Sequence, residues 1–564
     1  MNILKAFVVC LLILQIRSLL VPRFVDISEK AGILAKTIPD ARNVSSENAY
    51  WSPAVADMNR DGRYDLMMSN HGDGLDFYWS KMNTKYRFKS PGLYRRDIHG
   101  VAIADMSNSW HLNAVITRGG AAGTNPGTGM VLESGENNGF NISVDGAKWG
   151  LNDQYVRGRS CGFMDTTGNG FLDLIYVNRK IPGIDDQPIH LFYENQGDGT
   201  FRVRKTGFEH VNAAWFHLID FNEDGFMDVL LMTDDSVQLW EGTGRFGFKK
   251  AIGVIPDAHK MRGARCACEL DFDGDGMPDL YIARGKNKKQ FDDVLLRKKK
   301  GYIYENVSVQ AKIPTGGKHY HVTCGDFNND GYADLYISQM TWYRGPNKQD
   351  ILLMNKGNGT FNRKRWVGLD RKGLDEDGDS AIAFDHDLDG RLDLLVGYKH
   401  GSWHLFRNLS QTMRNNWVII RVGFPRIGRF LPKWNRSPIG ATVRLRCDSR
   451  TFVQRTITPG ASHSQSYYDT LHFGLGRCSN LERIMIRYTN GIVVVRNGNI
   501  AVNRVIVSGL YYRCRGLWTG AKCARRIHPC KVEECLAHET CEKVVNKNIG
   551  QSRFCPITID NDSK

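Results

Sequence analysis

One nine-residue pattern recurs along this 564-residue chain and limits its fold more than any other feature. It reads Asp-x-Asp/Asn-x-Asp-Gly-x-x-Asp, with a short apolar run on each side. The first copy places Asp57, Asn59, Asp61 and Asp65 in register around Gly62. Further copies carry Asp220, Asn222, Asp224 and Asp228; Asp271, Asp273, Asp275 and Asp279; Asp326, Asn328, Asp330 and Asp334; and Asp385, Asp387, Asp389 and Asp393. The copy at Asp165 is poorer in carboxylates, with Thr167 and Asn169 between Asp165 and Asp173. A degenerate copy begins at Asp105, where Ser107, Ser109 and Asn113 stand at the polar positions and Trp110 replaces the glycine. Successive copies start 48 to 60 residues apart, giving seven units of about 55 residues.

The flanks read as strands. Asp228 leads into Val-Leu-Leu-Met and Asp279 into Leu-Tyr-Ile. Short β-branched, aromatic or aliphatic runs bounded by Gly, Asn and Asp turns favour strands over helices. A second turn follows in two units, Asn195 to Phe201 and Asn355 to Phe361, so each unit has room for about four short strands. Radial repetition of four-stranded units protects strand edges, and an open solenoid suits such a long repeat less well. The expected fold is all-β: a seven-bladed β-propeller with calcium loops over residues 22–410. A small β domain over 411–508 follows, then a disulfide-rich tail over 509–564.

Calcium takes six to eight oxygen ligands at about 2.3–2.6 Å. Side chains at positions 1, 3 and 5 of a tight loop converge on one point, and Gly at position 6 permits the reversal that turns them inward. A carbonyl near position 7 and the aspartate at position 9 would complete the shell. An EF-hand needs a glutamate at position 12 and flanking helices. Here position 12 is apolar or aromatic: Met68, Tyr176, Leu231, Ile282, Ile337, Val396. The six competent loops are therefore expected to hold structural Ca2+, a flexible carboxylate cage suiting it better than magnesium. The Asp165 loop, with least charge, should bind most weakly, and the Asp105 copy should bind none.

Residues 1–20 read as a signal peptide, with a basic start and an apolar stretch from Ala6 to Ile16, too short to span a bilayer. Of 13 cysteines, Cys10 leaves with that segment and the remaining even number suits an oxidising compartment. Six lie in the tail, at 514, 523, 530, 535, 541 and 555. Cys447 and Cys478 are the small β domain's own pair. Cys161, Cys266, Cys268 and Cys324 fall on equivalent strands, where they either bridge blades or stay buried; Cys266 and Cys268 share a strand face and should not join each other. Sequons at Asn43, Asn141, Asn306, Asn358, Asn408, Asn435 and Asn561 fit a secreted glycoprotein.

The formal net charge is +15, and bound calcium would raise it. Basic runs lie at Lys286–Lys289, Arg297–Lys300, Arg363–Arg365 and between Arg421 and Arg436. In a secreted protein such runs suit sulfated glycosaminoglycans or anionic cell surfaces better than nucleic acid. No nucleophile elbow, zinc-protease helix or phosphate loop is present, and the histidines are scattered, so no catalytic residues are assigned. The favoured function is binding of extracellular proteins or receptors in the matrix or at the cell surface. The alternative is a hydrolase or lyase acting on extracellular glycans in the propeller channel.

The loops resemble the FG-GAP/VCBS repeats of integrin α-chain-like propellers over roughly residues 24–410. Residues 416–491 resemble the ASPIC/UnbV domain through Ile439-Gly-Ala-Thr-Val443, Ser464-Gln-Ser466, Leu471-His-Phe-Gly-Leu-Gly476 and Ile486-Arg-Tyr-Thr-Asn-Gly491. Propeller, ASPIC/UnbV domain and cysteine-rich end, in that order, resemble the cartilage acidic protein family. The resemblance implies an extracellular interaction protein. The family's final module is EGF-like, whereas this tail has 8, 6, 4, 5 and 13 residues between its cysteines and no Cys-x-Cys.

Overall fold

The structure is a computed structural model. It describes residues 22–508 apart from 34–49, 89–97, 120–128, 340–349, 370–377, 424–436, 457–468 and shorter stretches, together with three strands beyond 541. The signal-peptide reading and the tail cysteines lie outside the described residues.

Seven four-stranded antiparallel sheets succeed one another from Tyr50 to Asn408, the fifth carrying a short extra strand. The innermost strand of each packs on that of the next. The ring closes where Tyr50–Ala56 of the first blade meets Gly378–Phe384 of the seventh. The seventh blade takes its outermost strand from the other end of the chain: Phe24–Asp26 pairs antiparallel with Ser402–Asn408. This is the seven-bladed β-propeller expected from the repeat.

The continuous apolar runs now have a physical reason. The second strand of a blade is covered on both sides by neighbouring blades, so Asp228–Thr233 is buried at every position. The outermost strand Phe248–Ala251 buries only its first residue. The core accordingly lies between blades, as where Tyr281 and Leu295 of the fifth pack with Val322, Leu335 and Ile337 of the sixth.

Cys268 and Cys324 join the inner strands of the fifth and sixth blades, with Cα atoms 6.5 Å apart, while Cys161 and Cys266 stay buried as thiols. Replacing Cys268 and Cys324 together by serine should lower unfolding free energy by about 2–4 kcal/mol, read from denaturant midpoints. Unchanged midpoints would show that the bridge adds nothing to blade packing.

The C-terminal β domain stacks two sheets over its own core. One sheet contains Asn416–Val422, Thr470–Gly476 and Arg504–Ser508; the other contains Thr442–Cys447, Arg450–Arg455, Asn480–Arg487 and Val493–Ala501. Val443, Leu445, Ile484 and Ile486 face inward, and Cys447–Cys478 closes one end. Strand alternation then places Thr442, Arg444 and Arg446 on the opposite face, in register with Arg455, Val453 and Thr451 on one neighbour and Arg487, Met485 and Arg483 on the other. The outer face of this sheet is rich in arginine.

Candidate metal centres and the domain that covers them

Each aspartate loop joins the first strand of a blade to its second, and the position-9 aspartate is the first residue of that second strand. The glycine at position 6 has φ between 81° and 94° in all six loops. That left-handed turn aims its N–H at the position-1 carboxylate, as in Gly62 to Asp57 Oδ2 at 2.8 Å and Gly276 to Asp271 Oδ2 at 2.9 Å. The same bond recurs at Asp165, Asp220, Asp326 and Asp385. Position 5 accepts the N–H of position 7 throughout, for example Met277 N to Asp275 Oδ1 at 2.8 Å. The predicted site residues of each loop therefore do fold into a single turn.

Whether that turn fits a cation can be tested on its oxygens. Thr167 Oγ1, Asp273 Oδ1 and Asp387 Oδ1, all at position 3, and Asp220 Oδ1 at position 1 are buried without a protein hydrogen-bond partner. Asp271, Asp273 and Asp279 bring ligand oxygens within 4.8 Å of one another, as do Asp385, Asp387 and Asp389. Burial, reinforced by neighbouring carboxylates, pushes Asp57 and Asp271 up to about 7, and burial pushes Asp173 up to about 7. It holds Asp65, Asp228, Asp279, Asp326, Asp334 and Asp385 well above the usual carboxylate range. Crowded acids of this kind stay ionised only with a counter-ion, and a hard divalent cation fits the all-oxygen donor set. In the Asn loops, Asn59, Asn222 and Asn328 each donate Nδ2 to the position-5 carboxylate. An ion would take their amide oxygen instead. The Asp385 loop carries its own cations, since Arg407 pairs with Asp387 and Asp389, and Arg391 with Asp389. Carboxylate number alone therefore does not rank the loops.

The position-9 aspartate has a role that ligand spacing does not reveal. One oxygen accepts the N–H of position 2, and the other accepts an N–H at or beside the third strand of the same blade. Asp65 does this with Met58 at 3.0 Å and Ser80 at 2.8 Å. The other five copies repeat it at 2.7–3.1 Å. The residue braces three segments of each blade, whatever else it binds.

Asparagines at the end of the third strand were also missed. Asn195, Asn355 and Asn408 send Nδ2 across to the position-2 carbonyl of the preceding blade, Met106, Phe272 and Phe327, at 2.8–2.9 Å. Two of the three begin the Asn-x-Gly-x-Gly-Thr-Phe turn noted in the sequence, the only signal that could have flagged them. Asn408 is fully buried in this staple, so the sequon there cannot receive a glycan in the folded protein. Asn306 and Asn358 are exposed.

The C-terminal domain lies on the aspartate loops, touching all six with residues from both of its sheets. Arg421 donates to Gly62 O at 2.6 Å, Arg444 to Gly276 O at 3.2 Å and Arg450 to Gly331 O at 2.8 Å. His472 Nε2 lies 3.0 Å from Gly390 O. Arg487 donates to Glu223 O and Asp224 O, and Thr489 to Asp165 Oδ2. Arg455, only 4% exposed, sits 3.3 Å from both Asp220 Oδ2 and Glu269 Oε2. A cavity of about 110 Å³ remains between the domain and the propeller, lined by His217, Glu269, Arg455 and His472 among others. His472, read from sequence as a packed strand residue, is buried with its pKa pushed down to about 4 by that burial.

This arrangement revises the basic surface. Arg421 is a loop contact rather than part of an open patch. In the Arg297–Lys300 run, Arg297 and Lys299 pair with Glu305, and buried Lys298 pairs with Glu223. The side chains of Lys286–Lys289 and residues 424–436 lie outside the described residues.

The fold and loops define a class: an aspartate-loop propeller covered by a small β domain. Residues 165–231, 220–282 and 271–337 match the FG-GAP-like repeat, and residues 432–508 match ASPIC and UnbV. The chain is 23% identical over 479 residues to cartilage acidic protein 1 of Xenopus tropicalis, a match that covers 79% of this chain. It spans 62% of that relative's length. The likeness to the cartilage acidic protein family drawn from the motifs is thus supported by both repeat and domain matches. Solved structures are more loosely similar. An Agrocybe aegerita lectin that recognises non-reducing terminal N-acetylglucosamine is 17% identical, over 56% of this chain and 79% of the lectin, with TM-score 0.38. A Bacillus licheniformis rhamnogalacturonan lyase is 9% identical, over 65% of this chain and 72% of the lyase, with TM-score 0.36. Among the described residues no helix is long and apolar enough to cross a membrane.

Proposed function

We propose that this chain is a secreted, calcium-loaded binding protein of the extracellular matrix or cell surface, with the ions serving as structural cross-links in the blade turns. The observation that carries the reading is the six-fold repetition of a buried carboxylate turn, with oxygens left without a hydrogen-bond partner in four of the copies. A single Asp-Gly turn would be only a good hairpin; six in register serve a common cation. The name of the cartilage relative supports a matrix setting. Binding rather than catalysis is favoured because the loop face is occupied by the chain's own C-terminal domain, which leaves the cavity there at about 110 Å³. That space admits a few waters and no glycan segment.

The test is calcium titration of the chelator-treated chain by calorimetry near neutral pH. Six sites are expected, together with a melting temperature that falls by ten degrees or more, on the order of several kcal/mol, when chelator is added. No heat of binding and an unchanged melt would overturn the reading. Arg363 and Arg365 remain exposed, and sulfated glycosaminoglycan is the anionic partner proposed for the surface. Retention on heparin that ends only above physiological salt supports this; flow-through at low salt excludes it.

A further inference from the structure

The position-6 glycine of each loop faces two ways. Its N–H is bonded inward to the position-1 carboxylate in all six copies. Its carbonyl is taken in four copies by a residue of the C-terminal domain, Arg421, Arg444, Arg450 or His472, while Asn108 of the preceding blade takes Gly170 O and Asn329 also reaches Gly390 O. These four come from four different strands, so the contact is a property of the whole domain face rather than of one side chain. A loop that opens swings this carbonyl away from its donor.

We propose that the C-terminal domain is a calcium-dependent cap, docked on the propeller only while the aspartate loops are closed around their ions. The inference rests on the calcium reading above and deepens it: the ions stabilise the blade turns and, through them, present the surface that the cap recognises. Two effects of calcium removal oppose each other. Uncompensated aspartates repel one another and open the loops, which removes the carbonyl acceptors. The same aspartates would attract the cap's guanidinium groups. Geometry decides between them. Of the cap's arginine hydrogen bonds and ion pairs described, only that of Arg455 with Asp220 ends on a candidate ligand carboxylate, with Arg421 and Arg450 acting on Asp57 and Asp330 through space alone. The others end on loop carbonyls or on Glu223 and Glu269, which are not ligands. The coupling is reciprocal, so an undocked cap lowers calcium affinity.

The experiment is hydrogen exchange read by mass spectrometry on the full chain, in calcium and in chelator, alongside calorimetric calcium titration. A triple variant, Arg421→Met, Arg450→Met and Arg487→Met, removes cap contacts without touching a loop. In chelator, peptides covering the strands that carry the docking residues, Asn416–Val422, Thr442–Arg455 and Thr470–Gly476, and Arg487–Thr489 should lose protection, while Arg504–Ser508, paired inside the domain, keeps its own. In the triple variant, apparent calcium affinity should fall by about five-fold or more. Calcium binding with cap protection unchanged in chelator, and with wild-type affinity in the variant, would overturn the cap while leaving the calcium sites standing. Absence of calcium binding would overturn both. Should chelator unfold the propeller outright, the variant's affinity in folded, calcium-loaded protein decides alone.

Discussion

Asp334→Ala should destabilise the propeller by about 2–6 kcal/mol, and most of that loss should persist in chelator. The carboxylate of Asp334 accepts Phe327 N at 3.0 Å and Asn355 N at 2.8 Å, and its residue is fully buried. Alanine strands both N–H groups away from water, at about 1–3 kcal/mol each. A residue acting only as a metal ligand would matter only when metal is present. Comparing variant and wild type by denaturant unfolding in chelator separates the two roles, and equal stability there would refute the brace. Asp334→Asn keeps one acceptor oxygen and should fall between. Asp198→Ala is the control: that aspartate also sits in a turn, but it is exposed and caps only Thr200, so its loss should stay near 1 kcal/mol or below.

The stabilisation conferred by calcium should be small near pH 4 and reach its full size only above about pH 7. Asp57, Asp173 and Asp271 are raised from 3.8 to about 7 in the metal-free fold, chiefly by burial. A folded carboxylic acid with a raised pKa binds protons that the unfolded chain has lost. Its contribution to stability is complete below about pH 4 and disappears as pH rises through 7. Metal-free protein should therefore weaken across that interval. Calcium must displace those protons to bind, so its affinity climbs over the same interval. Three histidines work against the metal-free trend. Burial pushes His190 and His472 down to about 4 and His217 to about 3, so the unfolded chain takes up their protons first and stability rises with pH through 6.5. The difference between melts in calcium and in chelator removes whatever histidine contribution the two conditions share, and that difference is the quantity to plot. A gap independent of pH would exclude the buried aspartates as the calcium sites.

Much of the propeller was legible in the residues. The copy number, the four-stranded unit and the strand starts all follow from a motif whose chemistry is local. Asp, Asn and Gly at fixed offsets dictate a turn, and the apolar runs after it dictate a strand buried on both faces. Cys447 and Cys478, the small β domain's own pair, are joined, and Cys268 reaches Cys324 because both stand on the inner strands of adjacent blades. Net charge did not say where the basic groups go: Arg421, Arg444, Arg450, Arg455 and Arg487 all turn toward the propeller, whereas Arg363 and Arg365 stay exposed. A sequence shows how many arginines a strand carries and on which face they fall. It does not show what lies opposite that face.

The aspartate loops themselves divide along the same line. Sequence alone determined their positions, their number and the reversal at position 6, because a tight turn is decided by residues within nine of one another. Tertiary structure decided three other things. Position 9 is a brace because the third strand returns beside it. Asn408 is a staple and not a glycan site because the preceding blade offers Phe327 O. The position-6 carbonyls are a docking surface because residues 82 to 359 positions away in sequence fold into a domain whose donors reach them. Each of these depends on groups distant in the chain meeting at hydrogen-bond distance, which only the closed ring and its cap bring about.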